Sequence, residues 1–151
     1  MGNLLIREGR PAEIMLVEDN RGDVLLASRA FKEAQFENRL SVAGTAEIAL
    51  ATLKACVEEG LRLPDIILLD LNLPGMSGRD LLTIIKSEDA LRHIPVIVLS
   101  SSAAEADVNG SYHHHANAYI VKPVDLDKFR HVISSIEQFF FILALLPSEA
   151  E

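Results

Sequence analysis

Short apolar runs alternate with helical patterns five times along this chain, and that alternation limits the fold more than any other feature. Ala12-Glu13-Ile14-Met15-Leu16-Val17 is a first apolar segment, stopping at Glu18-Asp19-Asn20. Val24, Leu25, Ala27, Ser28 and Phe31 follow at spacings that put the apolar ones on one side of a helix. A second strand is expected from Arg39 to Gly44, and Thr45 then caps a helix carrying Ile48, Ala49, Leu53 and Ala55. Asp65-Ile66-Ile67-Leu68-Leu69-Asp70 has no polar alternation, the pattern of a central parallel strand covered on both faces. Pro74-Gly75 makes a turn, and Ser77 with Asp80 has the spacing of a capping box before Leu81, Leu82, Ile84 and Ile85. Pro95 to Leu99 is a fourth strand, and Ser102 with Glu105 starts another helix. Ala118 to Val121 is a fifth strand, closed by Lys122-Pro123, and a last helix begins near Asp125 and runs through Ile136.

Such alternation implies an α/β fold, a doubly wound five-stranded parallel sheet with helices on both faces. Right-handed crossovers leave few windings, though alternation alone permits more than one. The flavodoxin-like order 2-1-3-4-5 is favoured, with its switch point beside strands one and three, and this choice leans partly on the resemblance below. One domain is expected over residues 11–146, with short terminal segments at 1–10 and 147–151.

Composition excludes several classes. The chain is 49% hydrophobic and 24% charged, which fits a globular domain rather than a disordered one. Its net charge of −8 argues against broad binding to nucleic acid or anionic membrane. The first ten residues lack the pattern of a secretory signal, and the longest apolar run, Phe139 to Leu146, is far shorter than a membrane span. A lone cysteine, Cys56, fits a reducing compartment, so a soluble cytoplasmic protein is expected.

Ligands in doubly wound sheets bind beyond the carboxyl ends of the strands. Strand one ends at Glu18-Asp19 and strand three at Asp70, so the favoured order would gather three carboxylates. Two unit charges about 4 Å apart repel by roughly 4 kcal/mol at an effective dielectric of about 20. The cluster therefore calls for a cation or for raised pKa values. Oxygen-only ligands at a partly open site suit Mg²⁺. Ser100 ends strand four with a hydroxyl, and Lys122 ends strand five with an ammonium. Together these groups suit acceptance of a phosphoryl group on a carboxylate oxygen, with Asp70 as nucleophile on the most buried strand.

These residues resemble the response-regulator receiver domain of two-component signalling. The likeness rests on Leu16-Val17-Glu18-Asp19-Asn20, Leu68 to Gly78, Val98-Leu99-Ser100 and Tyr119-Ile120-Val121-Lys122-Pro123, and covers about Pro11 to Ile136. It implies that a sensor histidine kinase phosphorylates Asp70, and that Glu18, Asp19, Asp70 and the main-chain carbonyl of Asn72 serve a Mg²⁺ site. It further implies that Ser100 and Tyr119 move together as a switch, that Lys122 contacts the phosphoryl group, and that the bond to Pro123 is cis. Glu18-Asp19-Asn20-Arg21-Gly22-Asp23, the stretch from Ser111 to Tyr119 and Pro123-Val124-Asp125-Leu126 resemble single-domain regulators of bacterial phytochromes, with Arg21 where their motif has proline.

His113-His114-His115 invites a metal reading, but consecutive helical residues point about 100° apart and cannot converge on one ion. A solvated helix end is expected instead. Phe139 to Leu146 has no polar face, so either the last helix ends and the tail folds back, or the helix and tail form a homodimer contact. The resemblance implies a phosphoacceptor signalling protein rather than an enzyme, beyond its own phosphoryl transfer and slow autodephosphorylation. Few residues follow the expected core, so no DNA-binding effector is expected. Two rivals remain: a phosphohydrolase with an aspartyl nucleophile, and a receiver-like scaffold that is never phosphorylated. Hydrolases of that kind carry a second acid two residues after the nucleophile, where this chain has Asn72.

Overall fold

The structure is a computed structural model that describes residues 11–101 and 118–145, with side chains through residue 138. The elements run β1 (Ala12–Val17), α1 (Arg21–Lys32), β2 (Asn38–Ala43), α2 (Ala46–Glu59), β3 (Ile66–Asp70), α3 (Gly78–Ser87), β4 (Val96–Ser100), β5 (Ala118–Val121) and α4 (Leu126–Leu145). The five strands form one parallel sheet in the order β2-β1-β3-β4-β5, the winding favoured from the sequence.

Successive side chains of a strand point to opposite faces, and the central strands feed two cores in this way. Ile14, Leu16, Ile66, Leu68, Ile97 and Leu99 pack on one face with Phe31 of α1 and Phe129 of α4. Met15, Val17, Ile67, Leu69, Val96 and Val98 pack on the other with Leu53 of α2 and Leu81 of α3. Both faces of β3 and β4 are thus covered, which is why neither strand alternates in hydropathy. Phe31 and Phe129 meet edge to face, with centroids 6.4 Å apart.

Each described loop entering α1, α2 and α3 ends in a side chain that takes an amide proton. Asn20 accepts from the Asp23 amide, Thr45 from Ile48 and Ser77 from Asp80, at 2.9, 3.0 and 3.1 Å. These caps fix where the helices start relative to the strand ends.

Several boundaries differ from expectation. β2 spans Asn38–Ala43, one residue earlier, because Asn38 pairs with Ala12 at the start of β1. β3 begins at Ile66, since Asp65 turns its carboxylate back to the Glu13 amide (2.8 Å) and to Arg62 (2.7 Å). β4 includes Ser100 and begins at Val96. Leu25 is exposed rather than on the buried side of α1, whose inner stripe is Ala27, Ala30 and Phe31; on α2 that stripe is Ala46, Ala49 and Leu53, with Ile48 exposed. α4 continues through Leu145 as one helix, so the backbone does not fold back near Ile136. Cys56 is half-buried on α2. The Ser102–Glu105 cap, the three consecutive histidines and residues 1–10 and 146–151 lie outside the described residues. No described helix is long and apolar enough to cross a membrane.

Candidate functional site

Strand parity decides which polar residues meet at the carboxyl edge. Leu16 pairs with Leu68, so Glu18, just beyond β1, falls level with Asp70 and shares the parity of Leu16 and Leu68. Lys122 has the parity of Ile120, which packs on that same face. A lysine stem is long enough to reach across β4 from β5. One oxygen from each of Glu18, Asp19 and Asp70 lies within 4.8 Å of the others. The Lys122 ammonium sits 2.9 Å from Glu18 Oε1, 2.9 Å from Asp23 Oδ2 and 3.2 Å from Asp70 Oδ2.

Glu18 and Asp70 are each only 2% exposed, whereas Asp19 faces solvent. Burial pushes the Glu18 carboxyl up to about 7; Asp70 adds to the rise, while Lys122 and the Asn20 amide oppose it. Burial works against the charged form of Lys122 too, but its bonds to Glu18 and Asp23 outweigh that and hold it above the ordinary lysine range. Three carboxylates thus share the Lys122 ammonium, with Asp19 beside two of them, and burial together with the neighbouring Asp70 charge favours the protonated form of Glu18.

Asp70 is held on both oxygens. The Asn72 amide donates to Oδ1 at 3.1 Å, and Lys122 donates to Oδ2 at 3.2 Å. Gly78, the first residue of α3, packs directly on the end of β3. A Cβ there would run into the Asp70 carbonyl oxygen and lie 2.8 Å from Leu71 Cα. That close approach seats α3 against the aspartate.

Ser100 and Tyr119 have the opposite parity. Ser100 is buried at the end of β4, and its carbonyl accepts from the Lys122 amide at 2.5 Å. Tyr119 packs among the side chains on the α2 and α3 face, and its buried hydroxyl has no hydrogen-bond partner among the described residues. Glu18, Asp19, Asp70 and Lys122 therefore converge, while Ser100 and Tyr119 lie on the other face of the sheet. Asp23 was not anticipated as part of the site. Its signal was an acid in the first turn of the helix that follows the Glu18-Asp19 pair. The Lys122–Pro123 bond is trans, contrary to what the resemblance implies, and no described peptide bond is cis. Trans is the isomer an unconstrained X–Pro bond favours, by about 0.5–1 kcal/mol.

The donor set suits a hard divalent cation: three carboxylates, no sulfur or imidazole among them, and one of the three open to water. A buried aspartate at the switch point, beside an ammonium and a pair of acids, fits the site of a phosphoacceptor signalling domain. The response regulator receiver domain model matches residues 14–134, and the chain belongs to that family. It is 37% identical over 139 residues to the response regulator Rcp1 of Synechocystis sp., covering 91% of this chain and 95% of Rcp1. It is 35% identical over 130 residues to the probable methanogenesis regulatory protein FilR2 of Methanothrix harundinacea, covering 86% and 84%. Among solved structures, the phosphorylated cyanobacterial phytochrome response regulator RcpA aligns with a TM-score of 0.79 at 38% identity, over 92% of this chain and 100% of that one. Rcp1 in its Mn²⁺-bound form gives 0.77 at 36%, over 91% and 100%. The protein is a response regulator of two-component signalling.

Proposed function

We propose that Asp70 accepts a phosphoryl group from the phosphohistidine of a sensor kinase of the phytochrome type. A carboxylate oxygen of Asp70 forms the new bond to phosphorus, the phosphorus–nitrogen bond breaks, and its electron pair stays on the imidazole. The observation that carries this reading is the meeting of Asp70, Glu18, Asp19 and Lys122 at one strand edge. Glu18, Asp19, Asp70 and the Asn72 carbonyl would hold Mg²⁺. That ion, when bound, neutralises charge on the phosphoryl oxygens. Lys122 then leaves part of its carboxylate cage to pair with a phosphoryl oxygen, and the Asn72 amide keeps the aspartate aimed. Ser100 and Tyr119 act as the switch, a role that suits the buried Tyr119 hydroxyl, which has no hydrogen-bond partner among the described residues. The phytochrome assignment is supported by the likeness to RcpA.

Acetyl phosphate with Mg²⁺ tests the reading directly. Incorporation of about one phosphoryl group per chain, abolished by a chelator, is expected. Turnover of many phosphoesters per chain would favour the hydrolase, and no incorporation would favour the scaffold. A cytoplasmic location and no nucleic-acid partner fit the lone cysteine and the net charge of −8.

A second copy of the chain is the proposed partner of the C-terminal helix and tail. The support is the apolar run Phe139 to Leu146, which α4 carries on through Leu145 as continuous helix. In sedimentation the wild type is expected as a dimer, with Phe140→Asp and Leu143→Asp shifting it to monomer. A monomer in every sample rules the contact out.

A further inference from the structure

The loop from Leu71 to Ser77 carries Asn72, whose amide and side chain are held at the site by Asp70 and by Ser101 (3.1 and 3.2 Å). The loop has a further hold from outside the site. At its near end the Leu71 amide donates to the Leu99 carbonyl at 3.2 Å and the Asn72 amide to Asp70. At its far end Gly78 donates to the Leu71 carbonyl at 3.3 Å, and Ser77 caps α3. Between these points Gly75 adopts a left-handed conformation, φ +73°, which turns the Met76 amide outward. That amide donates to Glu47 Oε2 at 3.0 Å. Glu47 is the second residue of α2, a helix that otherwise takes no part in the site. Its carboxylate fills the concave side of the turn, since a Cβ on Gly75 would lie 2.9 Å from the same oxygen. The bond to Met76 also holds the Glu47 carboxyl below its usual range.

We infer that Glu47 is a positioning residue for the cation site: its grip on Met76 sets the path of the Leu71–Ser77 loop and so the place of the Asn72 carbonyl. This rests on the reading of Asn72 as a cation ligand. Glu47 touches neither the cation nor the phosphoryl group. Its loss lets the turn relax, and the Asn72 carbonyl is then less well placed for a cation that demands near-ideal geometry.

The test uses the full chain as wild type, Glu47→Ala and Glu47→Gln, the last keeping an oxygen acceptor for Met76. Mn²⁺ binding is read from the electron paramagnetic resonance of the free ion, and acetyl phosphate incorporation is followed against Mg²⁺ concentration. Glu47→Ala is expected to weaken Mn²⁺ binding about threefold to tenfold, below the 10- to 100-fold typical of residues that directly orient a metal ligand. Its half-maximal Mg²⁺ concentration should rise by the same factor, with the rate at saturating Mg²⁺ within about twofold of wild type. Glu47→Gln should stay within about twofold of wild type on both counts. Unchanged Mn²⁺ binding in Glu47→Ala overturns the inference, as does Glu47→Gln behaving like Glu47→Ala. A wild type that binds no Mn²⁺ instead overturns the cation site itself, and the inference with it.

Discussion

Asp70→Asn is expected to abolish phosphoryl acceptance, on the order of a thousandfold or more, the scale of losing a nucleophile. A carboxamide oxygen has neither the charge nor the basicity to attack phosphorus. The variant should nevertheless fold. Asn has nearly the shape of Asp, and its remaining oxygen can accept from Asn72 or from Lys122, both of which bond the native side chain. Removing the Asp70 charge also lowers the field that helps raise the Glu18 carboxyl. The thermal midpoint should therefore hold or rise while incorporation from acetyl phosphate disappears. Full incorporation in Asp70→Asn, measured by phosphate-affinity electrophoresis, would move the acceptor to another residue.

Lys122→Met should reduce incorporation by about a hundredfold, within the usual range for a charge aimed at the transition state. It should also change how stability depends on pH. Glu18 and Asp70 are almost wholly buried, and Lys122 is the one cation bonded to them among the described residues. Losing that partner should cost about 2–3 kcal/mol at pH 8 without metal, somewhat less than for a fully enclosed pair. The sign follows from Glu18. Its folded-state pKa of about 7 lies above the ordinary 4.5, so folding favours the protonated form. That contribution is complete below pH 4.5 and is lost as pH rises through about 7. Without Lys122 the carboxyl rises further and the loss extends to higher pH. Denaturant midpoints at pH 6 and pH 8 measure this, with a larger deficit expected at pH 8 and partial recovery on adding Mg²⁺. Equal deficits at both pH values would mean that Lys122 does not neutralise Glu18.

The five strands and four of the converging residues were legible because they depend on one-dimensional patterns, whereas the sheet order leaned partly on the family resemblance. Unbroken apolar runs mark strands buried on both faces, and the first polar residue after each run marks the edge. Parity along the strands then separates Asp70, Glu18 and Lys122 from Ser100 and Tyr119. Asp23 and Glu47 were not legible as site residues, since each depends on how a helix is set against a neighbouring strand end or loop. An acid in a helix's first turn is expected for the helix dipole alone, so neither stood out. Leu25 misled for a related reason. The inner stripe of α1 is made by Ala27, Ala30 and Phe31, and Leu25 lies outside it, facing water.

The most direct test of the account is to locate the phosphoryl group. The chain is treated with acetyl phosphate and Mg²⁺, the acyl phosphate is trapped by borohydride reduction, and the peptides are sequenced by mass spectrometry. The expected result is reduction at Asp70 alone, absent when Mg²⁺ is chelated. Labelling at Glu18, Asp19 or Asp23 in place of Asp70, or no labelling under conditions where the chain binds the metal, would contradict it.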